Sequence, residues 1–599
     1  AYNWNWNTPL IISPHSSSRL YMGAERLLRS DDRGNSWREV SPDLTRQLDR
    51  NQLEVMGRVW SVDAIAKNAS TSIYGALIAI AESPITEGLL FVGTDDGLIQ
   101  VSENGGESWR RSDRFATVPE MSLIEDLIAS HHDDNVVYMV VDNHKRGDHK
   151  PYVLKSSDRG NSWRLIVKGL PDRGAAHTII EDHVSPNLLF VGTEFGLYFS
   201  VDGGGQWQEL SSLPTIAVRD LEIQRRENDL VVGTFGRGIY ILDDYTPLRT
   251  AAQSLKSAEA TLFAVRDAWR FLPDNRRGWG GLGDWGNRYA AENPPYGAVF
   301  SYYLPESLET AQQKRQKAEQ ALAKEGKDTP YPSWDALRAE DAEEAPSLTF
   351  TVRDENGNVV ARVNGPTSKG FHRVAWDLRY SAPDPVNLTP PAQLAPWQSP
   401  PQGPLAVAGS YSVSLSKRHR GVSSELAGPV SFRIKPLFGG KNFAEDQAAV
   451  LSFQQNSAEL VRTVTAAIAK LDEIDGRINH LLKAVELTGA AGETQASAIR
   501  AIQNRSRDLR TAMTGDASLN NRYARTPTSI AARVGGLQSN WGSQADVTTT
   551  DRQSYAIAKT QLDGALTNLS AVEQDLRGVE QQLEQLGAPG TPGRLPQRR

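Results

Sequence analysis

Asp95, Asp96 and Glu194 are the carboxylic acids whose setting suits acid–base chemistry, since each follows an apolar strand pattern ending in Gly-Thr, within GTDDG and GTEFG. Glycoside hydrolysis needs two carboxyl groups about 5 to 9.5 Å apart flanking the sugar bond, which makes these three the candidate catalytic residues. The segment DNHKRGDHK (142–150) gathers His144, Lys145, Arg146, Asp148 and His149, a mixture suited to contact with a polar partner. It offers too few oxygen ligands for calcium. A third cluster, His131, His132, Asp133 and Asp134, has metal-ligand side chains. It occupies a turn that reads SPHSSSR, SPITEG or SPN elsewhere in the chain, and neighbours on one turn rarely converge on one ion without help from other segments. The cluster is therefore read as a turn, and no metal or cofactor is expected. With zero cysteines there is no disulfide framework, thiolate metal site or cysteine nucleophile.

An internal repeat sets the elements that must position these residues. SDDRGNSW ending at Trp37, SENGGESW at Trp109, SSDRGNSW at Trp163 and SVDGGGQW at Trp207 share the frame Ser-x-Asp-x-Gly-x-x-Trp. Their spacing fits units of about 40 to 50 residues with insertions, the size of a four-stranded propeller blade. Upstream of each lies a strand–turn–strand pattern, as in GLLFVGTDDGLIQVS and NLLFVGTEFGLYFS, and a final NDLVVGTFGRGIYIL has no box after it. Residue types assign the box a structural role. The carboxylates of Asp32, Asp158 and Asp202 accept backbone N–H bonds across the turn, and Asn104 does so without charge assistance. Gly34, Gly106, Gly160 and Gly204 supply positive φ, while Trp37, Trp109, Trp163 and Trp207 pack between neighbouring sheets. Ser30, Ser102, Ser156 and Ser200 open the four frames.

The boxes, the LLFVGT strands and the closing LDDYTPLR segment together resemble the Asp-box (BNR-repeat) propellers of the sortilin-like, bacterial "glycosyl hydrolase-like" family, over residues 1 to about 248. The resemblance implies about five blades, and a secreted or periplasmic protein whose remaining blades lie upstream or in another chain. The opening AYNWNWNTPL has neither an initiator Met nor the regions of a signal peptide, so further sequence is expected before Ala1. Asp-box propellers also occur in sialidases and xyloglucanases. A sialidase site would need an arginine cluster with a Tyr and a Glu, and neither that nor a paired-carboxyl site is matched residue by residue.

With the box in the third turn of each blade, the turns between second and third strands emerge on the opposite face. They carry Glu25 and Arg26, Asp95 and Asp96, the 142–150 segment, Glu194 and Phe195, then Phe235 and Arg237. These are the candidate ligand-face residues, because loops on a rigid scaffold commonly carry function.

Residues 249–295 read as a linker packing on the propeller, with Trp residues in GWGGLGDWGN available for packing or sugar stacking. Alternating strands in YGAVFSYYL, LTFTVRDENGNVVARV, FHRVAWDLRY, AGSYSVSLS and PVSFRIKPL predict an immunoglobulin-like antiparallel sandwich over 296–437, with a helical insertion near 306–325. Apolar residues at three- and four-residue spacing, including Leu460, Val464, Leu471, Ile474 and Ile478, predict a helical bundle over 438–588, before a disordered tail at 589–599.

The fold class is thus mainly β: a partial Asp-box propeller, a sandwich and a C-terminal helical bundle. A net charge of -7 over 599 residues leaves no basic footprint for nucleic acid, and no apolar run reaches the length of a membrane span. The expected function is a non-catalytic extracytoplasmic binding or scaffold protein for a protein, peptide or glycan partner, with glycoside hydrolysis in the propeller cleft as the alternative.

Overall fold

Each Ser-x-Asp-x-Gly-x-x-Trp frame closes a four-stranded antiparallel sheet in the computed structural model, which describes residues 2–595 apart from 66–73, 116, 255–256, 272–292, 387, 389–399, 438–443, 490–492 and 544. The chain divides into two units, Ala1–Ala258 and Glu259–Arg599.

In the first unit the strands pair in sequence order. The first sheet holds β1 (Leu10–Ile12), β2 (Leu20–Gly23), β3 (Leu27–Ser30) and β4 (Arg38–Glu39). The second holds β5 (Leu77–Glu82), β6 (Leu90–Thr94), β7 (Ile99–Ser102) and β8 (Arg110–Ser112). β9 (Leu123–Ala129), β10 (Val137–Asp142), β11 (Tyr152–Ser156) and β12 (Arg164–Leu165) form the third. The fourth comprises β13 (Ala176–Glu181), β14 (Leu189–Thr193), β15 (Gly196–Ser200) and β16 (Gln208–Glu209). A fifth, three-stranded sheet of β17 (Val218–Gln224), β18 (Asp229–Thr234) and β19 (Ile239–Leu242) leads into helix α1 (Pro247–Ser254). Successive sheets stack face to face, as propeller blades do, with the first strands β5, β9, β13 and β17 side by side. A separate apolar core fills each gap: Tyr21 with Leu77, Phe91 with Ile124, Val140 with Ile179, and Phe190 with Val218 belong to four successive clusters. β6, β10 and β14 are buried on both faces, which is why they read as continuous apolar runs rather than as alternating strands.

Inside the box, the serine hydroxyl and the aspartate carboxylate divide the turn's donors between them. Ser30 Oγ donates to Asp32 Oδ1 (2.7 Å) and accepts from Gly34 N (2.8 Å), while Asp32 accepts from Ser36 N (2.8 Å). Ser156, Asp158 and Gly160 repeat this, as do Ser200, Asp202 and Gly204. In the second box Asn104 Oδ1 takes the same position with longer bonds of 3.0 Å, the cost of a neutral acceptor. The four box glycines have φ between 75° and 101°. Hydrogen bonds from Ser36 hold the Asp32 carboxyl down at about 2.

Trp109, Trp163 and Trp207 lie toward the preceding sheet. Trp207 is 2% exposed and donates Nε1 to Ile166 O (2.6 Å), and Trp109 reaches toward Val40 O (3.4 Å). Trp163 is half-buried, edge-on to Phe115. Trp37, at 36% exposure, has no earlier sheet among the described residues to cover it. The second strand supplies the reciprocal device on the following side: a Cβ at Gly23, Gly93 or Gly192 would come within 2.8 Å of Leu77, 2.5 Å of Ile124 or 2.6 Å of Val218. The Gly of LLFVGT therefore marks where the next sheet's first strand approaches.

In the second unit, β20 (Thr261–Leu262), β22 (Ala298–Leu304) and β25 (Gly370–Trp376) form one sheet. β21 (Ala268–Arg270), β27 (Val422–Pro436), β26 (Gly409–His419), β23 (Ser347–Asp354) and β24 (Val359–Gly365) form another, in that order. Phe300, Tyr302, Phe350, Trp376 and Phe432 fill the core between them. The region read as a linker is divided: α1 belongs to the first unit, whereas β20 and β21 pair with β22 and β27 and place Leu262 and Ala268 in the core between those two sheets. Sequence periodicity could not detect strands of two and three residues. The Trp residues of GWGGLGDWGN lie outside the described residues. The insertion holds two helices, α2 (Ala311–Lys324), begun by a Thr310–Gln313 capping box, and α3 (Trp334–Asp341), tied to it by Arg315 and Glu340.

The C-terminal helices α4 (Gln447–Thr488), α5 (Glu493–Thr514), α6 (Ala517–Asn520), α7 (Ile530–Gln538) and α8 (Thr549–Gln585) follow, and α4, α5, α7 and α8 share one apolar core. Arg477 on α4 is buried in that bundle, where Glu580 accepts from its Nε (2.9 Å) and Nη2 (2.7 Å). The tail departs from expectation: through residue 595 it folds back, with Ala588 buried and the Arg594 side chain 3% exposed against Glu584. None of the described helices is long and apolar enough to cross a membrane.

Trp207→Ala should cost about 3 to 5 kcal/mol in urea unfolding followed by circular dichroism, and Trp37→Ala under about 1 kcal/mol. Arg477→Ala should cost about 3 to 5 kcal/mol, because it strands the buried Glu580.

Candidate functional site

The pairing of first and second strands slips at one place in four successive sheets. Leu77 pairs with Thr94 but Ala79 with Gly93, leaving Ile78 as a bulge; the same shift isolates Glu125, His177 and Arg219 in β9, β13 and β17. A bulge re-aims the extra side chain. All four sit at the end of the sheets where the second-to-third-strand turns emerge, here called the loop end. The charged members were not singled out from sequence. Their signal was the adjacent polar pairs Glu125-Asp126, His177-Thr178 and Arg219-Asp220, which break the period-two pattern of otherwise apolar strands.

Opposite the bulges, two positions beyond Gly23, Gly93, Val140, Gly192 and Gly233 of the second strands, stand Glu25, Asp95, Asp142 and Glu194 in the first four sheets and Phe235 in the fifth. Sequence reading found Glu25, Asp95, Glu194 and Phe235 as loop residues but not their common register with Asp142. Three of these acids hold backbone. Glu25 accepts from Asn3 N (2.6 Å), and Asp95 from Gly75 N (3.0 Å) and Ala76 N (2.9 Å). Asp142 accepts from His144 N (2.8 Å) and pairs with His144 Nδ1. Glu194 instead meets its neighbour's bulge: its Oε2 lies 2.8 Å from His177 Nε2 and 3.5 Å from Arg219 Nη2.

These contacts fix the protonation of His177. Arg219 Nη1, a donor only, lies 3.1 Å from His177 Nδ1, so Nδ1 accepts and Nε2 carries the proton donated to Glu194. Burial lowers the His177 pKa against the opposing hydrogen bond to Glu194, and the Arg219 charge adds to the lowering. Glu125 differs from the other acids: no described residue donates a hydrogen bond to it, and burial, then the nearby Asp142 charge, pushes its carboxyl up to about 7. Burial likewise raises Asp126, which accepts from Leu127 N (2.8 Å) and, across the gap, from Ile179 N (3.0 Å).

The remaining candidates separate into placed and unplaced groups. Asp96 is fully buried, accepting from Thr94 Oγ1 (2.5 Å) and Arg46 N (2.8 Å), so it secures a loop. Arg26 lies against Glu39, Arg146 donates to Glu120 O, and Asp148 accepts from Tyr152 and Asn143. Lys145, His149, Phe195, Phe235 and Arg237 are exposed at the loop end, where Arg219 lies 5.8 Å from the Phe235 ring. At the opposite end, His132 Nε2 bonds Asp182 O (2.8 Å) as His15 bonds Ser83 O (2.8 Å), so the His131–Asp134 cluster joins neighbouring sheets. Among the described residues no group of three or more His, Cys, Asp or Glu side chains is arranged to hold a metal.

Because the Glu125 carboxyl rises from an ordinary 4.5 to about 7, the folded protein binds more protons than the unfolded chain between those values. Stability should therefore fall as pH rises from 4.5 to 7, and Glu125→Gln should remove that part of the slope in thermal unfolding measured across the range.

No protein-family model matches the chain, and no curated protein does. Solved structures similar to it include a GH74 xyloglucanase from Xanthomonas campestris, at 16% identity over 45% of this chain and 41% of that one, with a TM-score of 0.29. An ancestral GH74 enzyme matches at 12% identity over 73% of this chain and 47% of that one (TM-score 0.31). The Cps50 (Swd1) β-propeller domain of Myceliophteria thermophila matches at 10% identity over 44% and 76% (TM-score 0.29). The chain spans under half the length of the two GH74 structures.

Proposed function

We propose that residues 1–248 are five blades of an Asp-box propeller of the sortilin-like kind and residues 296–437 an immunoglobulin-like sandwich. In this reading the chain is a non-catalytic binding or scaffold protein working outside the cytoplasm of a bacterium, and its loop end grips a protein, peptide or glycan partner. The observation that carries the reading is the common register of the bulges, which turns Glu125, His177 and Arg219 toward the same end of adjoining sheets. Exposed Phe195 and Phe235 add apolar area beside those polar groups, the combination that recognition surfaces use.

Glycoside hydrolysis is the second reading. It is favoured by Glu125, a carboxyl poised near 7 beside Asp142, as a general acid beside a carboxylate would be. Asp142 is nevertheless engaged by His144, Asp95 and Asp96 by backbone amides, and Glu194 by His177. That leaves Glu125 without a free carboxylate partner, so binding is the better account.

Glycan and peptide arrays probed with the 599-residue chain, followed by calorimetry on the strongest binder, test the two readings. Binding predicts a ligand whose Kd rises about tenfold or more in Arg219→Ala and Glu125→Gln, the loss of one charge-assisted contact, with no ligand consumed. Turnover of a glycoside that disappears in Glu125→Gln would replace this account with hydrolysis.

A further inference from the structure

Both ends of β17 are held by an arginine that donates to a histidine of an earlier sheet. Within the bulge, Arg219 Nη1 lies 3.1 Å from His177 Nδ1 in the fourth sheet. Directly after the strand, Arg225 Nη2 lies 3.1 Å from Nε2 of His131, which follows β9 of the third sheet. A guanidinium only donates, so each ring meets it with an unprotonated nitrogen. Protonation would turn that nitrogen into a second donor and bring two positive charges together across the same contact.

The surroundings of His131 are mostly cationic. Arg225, His132, His183 and Asp182 face its ring, and Glu181 accepts from its backbone N–H (2.8 Å). Asp182 is already engaged, accepting from Arg249 Nε and Nη2 (both 2.8 Å) and from Tyr245 Oη (2.6 Å). Burial, then the charges of Arg225, His132 and His183, bring the His131 ring down to about 4 against the pull of Asp182. Arg219, Glu194 and Asp142 face His177, where burial and the Arg219 charge outweigh the two acids.

We infer that these two pairs are an acid-released clasp on the fifth sheet: protonation of His131 and His177 breaks both contacts and frees β17 from the third and fourth sheets. Arg219 and Phe235 travel with the fifth sheet, so its release also dismantles the cluster at the loop end. The His131 ring takes its proton at about 4 in the closed form and at an ordinary 6.5 once released. The clasp is therefore complete above 6.5 and is lost as pH falls toward 4. This direction is opposite to that of Glu125, whose contribution to stability grows as pH falls.

Native-state hydrogen exchange on the 599-residue chain, read by mass spectrometry in low urea and corrected for the intrinsic pH dependence of exchange, tests this. Amides of residues 218–242 should exchange through an opening less urea-dependent than that of the second sheet, because less surface is exposed. The His131 contribution alone should raise that opening constant by up to about twentyfold between pH 7 and pH 5. His131→Gln, whose amide oxygen accepts from Arg225 at either pH, should shrink the rise. In a histidine NMR titration His131 should have a midpoint well below 6.5 that moves upward in Arg225→Gln. A rise under about twofold, a rise undiminished in His131→Gln, or a His131 midpoint unmoved by Arg225→Gln would overturn the inference. So would exchange of 218–242 with the same urea dependence as the second sheet, since the fifth sheet would then open only with the whole unit.

Discussion

The seam between consecutive sheets is the constraint on which the first unit depends. Each seam has an apolar core; a glycine slot lies on one side at Gly23, Gly93 and Gly192, with Val140 at that position in the third sheet, and where the next sheet carries a box its tryptophan lies on the other. Polar bonds lock the seams in register: Asp126 to Ile179 N at the loop end, and Tyr138, Ser130 and His131 N onto Glu181 at the box end. Apolar burial is non-directional, so it would tolerate sliding. A buried carboxylate that must find a particular amide does not, since leaving it unpaired costs several kcal/mol. The cores therefore supply the stability and the polar bonds the register.

Register is what brings the candidate site together. A bulge in one strand merely re-aims one side chain, but bulges at the same height in stacked sheets bring a carboxyl, an imidazole and a guanidinium from three segments to one end. The groups then set one another's charge. Burial, with the Arg219 charge adding to it, lowers the His177 pKa, the Arg219 contact leaves the ring proton on Nε2, and burial with the nearby Asp142 charge pushes the Glu125 carboxyl up to about 7. A site of this kind changes its charge when a ligand enters, because any cation placed beside Glu125 favours its ionised form.

Much of the scaffold was legible in the sequence, because the repeated turns are local. Ser-x-Asp-x-Gly-x-x-Trp fixes a turn through its own side chains, and from it the strands and the opposite loops follow. The site itself was less legible. Which strand-end carboxylate is already bonded depends on partners far away in sequence, as Asp95 with Gly75 and Asp96 with Arg46. Glu125 and His177 lie inside strands, where a search directed at turns does not look. Trp37 and Trp207 carry identical motif positions yet differ in burial, because the covering surface belongs to another repeat. In the second unit β20 and β21 were too short to show a period, while the long apolar stripe of α4 was plain.

The most direct test of this convergence is a carbon-13 NMR titration of labelled glutamate side chains, read at Glu125 in the native sequence and in two variants. A midpoint near 7 is expected, moving upward in Arg219→Ala as a neighbouring positive charge is removed, and downward in Asp142→Asn as a negative one is. A Glu125 midpoint near 4.5 that responds to neither substitution would contradict the account, because the three side chains would then not share a site.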